Sequence, residues 1–186
     1  EGEEYLDAMN AAANYAFANR SALTHRLRKT LQVELGVDSE AKLLYDVGHN
    51  IAKIEEHEIN GETCKCCVHR KGATRSFPGQ PVLVPGDMGT GSWLLEGLEG
   101  NRAFGSSCHG AGRLLSRTKA KQQIDPISLK AELEKRGILV HANTPNILSE
   151  EAPDAYKDVD KVISLTADAG LAKPIARMLP LAVIKG

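Results

Sequence analysis

The residues that could do chemistry cluster around one histidine. His109 stands in Phe104–Arg117, FGSSCHGAGRLLSR, ringed by small residues and followed by two arginines. Small side chains let backbone and ligand come close, so an imidazole held there is either packed for structure or presented for chemistry. Arg113 and Arg117 are four apart, the spacing of one helix face beside His109, which favours phosphate chemistry. VHRKGATRSF places His69, Arg70, Lys71 and Arg75 together near a strand end. Such cations suit phosphate oxygens and the backbone of a nucleic acid, or form a solvated turn.

A second imidazole, His49 in YDVGHN, follows an expected strand and neighbours Asp46 and Asn50. It could bind a metal through one nitrogen while a carboxylate orients the other, or simply be hydrogen-bonded. PGDMGTGSW has the glycine content of a phosphate-cradling loop but not the Walker pattern, and a tight turn explains it equally. CKCC contains a C-x-x-C, half of a zinc site, with no second Cys/His pair at suitable spacing. Alternating strand residues in a reducing compartment are the expected reading. In the closing AVIKG, Lys185 follows an apolar strand, and its ammonium is expected to be delivered to a specific place.

These residues need a scaffold, and the pattern supplies one. Apolar positions from Leu6 to Leu31 recur every three or four residues, predicting a long helix ended by Gly36, with Arg20, His25, Arg26, Arg28 and Lys29 as its basic side. LLYDVGHNIAKIEEHEINGETCKCCVHR predicts a hairpin turning at Asn60-Gly61. QPVLVPGDMGTGSWLLEG reads as strand, glycine loop, strand. A helix is expected in GRLLSRTKAKQQ, another after the Asp125-Pro126 cap, a strand at ILVHA, a helix after Pro153, and a strand at LPLAVIKG. The expectation is an α+β fold in one domain spanning residues 1–186.

Composition narrows the classes. The 186 residues carry a net charge of −1, so no bulk basicity advertises nucleic acid, and a phosphate surface must come from local clusters. No run of about 18 apolar residues offers a membrane span, and no leader pattern precedes Glu1, so a cytoplasmic protein without membrane contact is expected. EGEEYLDAMN starts deep in a helical pattern without Met, as a continuation or processed fragment of something longer.

Taken in order, NAAANYAFANR, YDVGHN, VHRKGATR, PVLVPGDMGTGSW, GSSCHGAGRLLSR, EEAPDAYKDVD and PLAVIKG resemble the carboxy-terminal portion of the RtcB family of tRNA-splicing RNA ligases. The resemblance implies joining of RNA 3′-phosphate or 2′,3′-cyclic phosphate ends to 5′-hydroxyl ends, with GTP and Mn²⁺. His109 matches the family's nucleophile, which forms a histidine–GMP intermediate, and His49 a Mn²⁺ ligand. Ser92, Ala111, Gly112, Tyr156 and Lys185 match positions that hold the guanine nucleotide, Lys185 near the base. Gly110 adds room for the phosphate. Lys71, Arg113 and Arg117 match positions facing phosphates or RNA.

Asp87 stands in a nucleotide-contacting loop where many members carry serine. The family's amino-terminal half, with its remaining metal ligands, is not matched, so the isolated chain is expected to be weak or inactive. An archease-type activator or the missing amino-terminal segment is an expected partner. The alternatives are a non-catalytic guanylate- or RNA-binding fragment, a subunit-forming fragment, and a metal-dependent phosphatase or hydrolase that opens cyclic phosphate and stops.

Overall fold

The computed structural model describes residues 1–36 and 41–185, with Lys185 described in its backbone only. The chain divides into two compact units, Glu1–Ala73 and Thr74–Gly186. Helices and strands are mixed without βαβ regularity, so the α+β expectation holds.

In the first unit, α1 (Gly2–Leu35) runs to Gly36, whose φ of 58° breaks the helix where expected. Strands β1 (Asn50–Ile59) and β2 (Glu62–Lys71) pair antiparallel from Asn50↔Lys71 to Ile59↔Glu62. Asn60 and Gly61 both take positive φ, 54° and 83°, as a two-residue turn with right-handed strand twist requires. The ladder's phase puts Glu55, His57, Cys64, Cys66 and Arg70 on one face, and Cys67 and His69 on the other. The four cysteines are free thiols.

His49 does not follow a strand. Residues 41–48 are irregular and His49 forms the bend that enters β1. The ladder sets this limit: β2 ends at Lys71, opposite Asn50, so the pairing with β2 stops short of residues 41–48. One last backbone bond, from the Gly72 amide to the His49 carbonyl at 3.0 Å, closes the ladder.

The second unit continues through β3 (Ala73–Arg75), β4 (Pro81–Val84), β5 (Ser92–Gly97) and β6 (Ser106–Cys108). Then come α2 (Arg117–Gln123), α3 (Pro126–Lys135), β7 (Leu139–Ala142) and α4 (Pro145–Glu150). A 3₁₀ turn at Pro153–Ala155, α5 (Val159–Asp168), β8 (Ala172–Met178) and β9 (Ala182–Lys185) complete it. β4, β5 and β8 form an antiparallel sheet in that order, β3 pairs with β6, and β7 runs parallel to β9.

Two apolar clusters hold this unit. Val82, Val84 and Leu95 of the sheet pack with Ala111, Val159, Ile163 and Ala172. Leu129 and Leu133 of α3 pack with Met88, Ile138, Val140, Leu148 and Ala152. Helix α3 starts as read from sequence, with Pro126 in its first turn and the Asp125 carboxylate accepting the Ser128 amide at 2.8 Å.

Two local expectations fail. GRLLSRTKAKQQ becomes helical only at Arg117, where the Ser116 hydroxyl accepts the Lys119 amide at 3.2 Å. Before it, Gly112 at φ 76° turns the chain, and the Leu114 and Leu115 amides donate to the Ala155 carbonyl at 2.8 and 3.2 Å. Arg113 therefore forms a β-bridge with Tyr156 and does not share a helix face with Arg117. After Pro153 the chain makes one 3₁₀ turn, extends at Tyr156, and restarts as α5 on the Asp158 cap. Strand β8, strand β6 and helix α4 were not anticipated.

Candidate nucleotide site

The loop between β4 and β5, Pro85–Gly91, is built to close tightly. A Cβ on Gly86 would be driven into the Gly91 carbonyl and would lie 2.8 Å from the Thr90 hydroxyl oxygen. A Cβ on Gly89 would meet Pro153 Cγ at 2.7 Å, and the Gly89 carbonyl accepts from the Arg136 guanidinium. The glycines thus serve close packing. The loop does not hold its Gly89 and Thr90 amides out for an anion. Both donate to Oδ1 of Asp87 at 2.8 Å, and the Thr90 hydroxyl donates to Oδ2 at 2.8 Å. A carboxylate within the loop occupies the place foreseen for a phosphate.

This loop forms one wall of a cavity of about 340 Å³ lined by Asp87, Met88, Ser92, Glu151, Tyr156 and the β9 residues Ala182, Val183 and Ile184. That volume is at the lower end of small-molecule sites. Ser92 Oγ accepts the Gly86 amide at 3.3 Å. The Tyr156 hydroxyl donates to Glu151 Oε2, and burial followed by that negative partner pushes the phenol above its ordinary value, against the pull of Arg113. Next to it, Glu150 is held below the usual carboxylate range, chiefly by its bond to Lys121.

His109 follows β6 directly. Its neighbour Gly110 lies against the loop, a Cβ there meeting the Pro85 carbonyl at 3.5 Å. Ala111 turns its side chain into the sheet core, 7% exposed, so only its backbone faces outward chemistry. The Gly112 carbonyl accepts the Lys157 amide at 2.9 Å, tying the histidine segment to the Tyr156 strand. Arg113 stands behind the cavity wall, while Arg117 opens α2 with its side chain 72% exposed, near Glu150 and Glu151.

Asp87, Ser92 and Tyr156 thus share one cavity, with His109, Gly110, Ala111 and Gly112 on the segment that buttresses it. The backbone of Lys185 continues the β9 wall, and its side chain lies outside the described residues. His49 and Lys71 belong to the first unit. Lys71 lines a separate cavity there of about 320 Å³, with Tyr5, Met9 and His69. Glu151 was missed: it lies in the EEAPDAYKDVD stretch, but no spacing rule marks it as a partner of Tyr156.

Among the described residues no three His, Cys, Asp or Glu side chains gather as a metal site. The described residues therefore do not by themselves make up the manganese centre that the resemblance implies. Among the described residues, no helix is long and apolar enough to cross a membrane.

The α+β fold thus holds a cavity walled by a glycine-containing loop, Tyr156 and strand β9. The family model described as tRNA-splicing ligase RtcB matches residues 1–186, and the chain belongs to that family. It is 50% identical to the tRNA-splicing ligase RtcB of Thermococcus kodakarensis over its whole length and 42% of that relative's. It is 49% identical to the one from Pyrococcus furiosus, covering 21% of it, and 48% to the RNA-splicing ligase RtcB of Mycobacterium bovis, covering 46%. The chain thus spans less than half the length of these relatives.

Proposed function

We propose that this chain is the guanylate-binding, nucleophile-bearing part of an RNA ligase. The ligase joins RNA 3′-phosphate or 2′,3′-cyclic phosphate ends to 5′-hydroxyl ends, in tRNA splicing and RNA repair, in the cytoplasm. The observation that carries the reading is the convergence of Asp87 and Ser92, from the β4–β5 connection and the start of β5, with Tyr156, distant from them in sequence, on one cavity.

In this reading the neutral imidazole of His109 attacks the α-phosphorus of GTP, the bond to the β-phosphate oxygen breaks, and pyrophosphate leaves. The GMP then passes from His109 to an oxygen of the RNA 3′-phosphate, and the 5′-hydroxyl displaces it as the new phosphodiester forms. A cyclic phosphate is first opened by water. Tyr156 offers a flat face with a polar tip to the nucleotide. With the Gly86 amide donating to its oxygen, Ser92 turns its own hydrogen toward a ribose or phosphate acceptor. Arg117, exposed at the start of α2, faces RNA phosphate. His49 would be one ligand of a manganese ion whose other donors the described residues do not supply, and ligation by this chain alone would then be weak.

The test is incubation with α-labelled GTP and Mn²⁺, with His109→Ala as control, for this chain alone and mixed with the amino-terminal part of a relative. Expected is label on the protein that survives base, is lost in acid and is absent from the variant. Label that persists in His109→Ala, or none in either preparation, refutes the reading.

A further inference from the structure

Arg113 was expected to face phosphate, yet its guanidinium is already committed inward. Its Nε donates to the Leu115 carbonyl at 2.9 Å and its Nη2 to the Glu150 carbonyl at 2.5 Å. Its Nη1 donates to the Tyr156 hydroxyl at 2.8 Å and reaches Glu151 Oε1 at 3.4 Å. The planar group also lies over the Tyr156 ring, with its central carbon 4.7 Å from the centroid. A guanidinium has five N–H donors, and these four contacts with the stacked ring fix its plane. Only an arginine fork serves several acceptors and a ring face at once; a lysine ammonium is a point charge.

The backbone enforces the same geometry. Arg113 and Tyr156 form an antiparallel bridge, so their Cα atoms are held opposite each other whatever fills the cavity. Tyr156 and Glu151 line that cavity, and Arg113 does not. Arg117 contrasts at each point: it is 72% exposed, and its nearest carboxylates lie at 3.7 and 3.9 Å.

We infer that Arg113 is a positioning residue. It holds the Tyr156 ring and the Glu151 carboxylate as the wall against which the nucleoside half of the ligand rests, and it does not contact phosphate. The inference rests on the guanylate reading above and adds which part of the nucleotide feels Arg113.

The experiment compares equilibrium binding of guanosine, GMP and GTP to the whole chain and to Arg113→Ala, Arg113→Lys and Tyr156→Phe, with circular dichroism confirming each fold. A positioning role predicts about a tenfold loss in Arg113→Ala, the scale of one charge-assisted hydrogen bond, and the same factor for all three ligands. Arg113→Lys does not rescue it, because the fork is gone. Tyr156→Phe removes the hydroxyl partner, so adding it to Arg113→Ala costs less than the two single losses combined. A phosphate contact predicts the reverse: guanosine binding unchanged, losses that grow from GMP to GTP, and substantial rescue by lysine. That pattern overturns the inference while leaving the pocket reading intact. Failure of the unchanged chain to bind any of the three removes both.

Discussion

Asp87 gives the most direct handle on the loop that walls the cavity. Asp87→Ala strips the acceptor from the Gly89 and Thr90 amides and from the Thr90 hydroxyl, each bonded at 2.8 Å. Bonds to a charged acceptor are worth about 1.5–3 kcal/mol each when removed. Gly89 is buried and its amide loses its partner outright, whereas half-buried Thr90 recovers part of its loss from water. The net expectation is about 2–4 kcal/mol, or roughly 5–15 °C in Tm for a chain of this size. Asp87→Asn keeps an oxygen for both amides and exchanges only the acceptor of the Thr90 hydroxyl, whose oxygen can turn to accept instead. Its loss is about 1 kcal/mol. Thermal unfolding followed by circular dichroism separates the two. If the alanine and asparagine variants melt together, or if the alanine variant melts with the parent, the carboxylate does not organise the loop.

Three further outcomes follow from the geometry. Gly86→Ala, which drives a methyl into the Gly91 carbonyl, lowers stability by about 1–3 kcal/mol and weakens GMP binding; an unchanged melting curve refutes the close approach. Leu133→Ala, fully buried in the α3 cluster, costs roughly 2–5 kcal/mol, while Leu133→Met stays under about 1.5 kcal/mol, both read from chemical denaturation. The third concerns pH. Asp160 is held below its ordinary value of 3.8, first by the Trp93 indole N–H and then by Arg177. A depressed carboxyl contributes stability above its unfolded pKa and loses it as pH falls through the lower folded value. Trp93 is the single tryptophan, so its emission reports the step. The change falls below pH 3.8 in the parent and is missing from Asp160→Asn; a variant that titrates identically refutes the assignment.

Local signals were legible wherever the chain decides by itself. Asn60-Gly61 and Asp125-Pro126 carry their conformations in their own dihedrals and caps, and the hairpin and α3 form where they were expected. What failed depends on partners distant in sequence. β8 contains Pro174 and shows no alternation, with every residue after Ala172 exposed, so it exists as a strand only through its ladder with β5. Arg113 and Arg117 have perfect helical spacing, yet the Ala155 carbonyl captures the amides of Leu114 and Leu115 and delays the helix to Ser116. Of the cavity residues, Ser92 and Tyr156 are marked by family resemblance rather than by pattern, because a half-buried serine and tyrosine leave no periodic trace.

The small residues around His109 show how the two kinds of reading diverge. From sequence they make room for a ligand. In the fold each is small for its own reason. Ala111 fills a fixed space among Val82, Val84 and Leu95, where a larger side chain would overpack the sheet. Gly112 adopts φ 76°, a conformation that strains other residues, and so aims the chain into the bridge with Tyr156. At Gly110, by contrast, an added Cβ would meet the Pro85 carbonyl at an ordinary contact distance of 3.5 Å, and no positive φ forbids it. Gly110 is therefore the position where a methyl is tolerated by the fold, and any need for glycine there must come from what approaches His109. Gly110→Ala should melt with the parent yet lose guanylylation, whereas Gly112→Ala should lose stability as well. If Gly110→Ala labels as the parent does, the space beside His109 is not where the nucleotide enters.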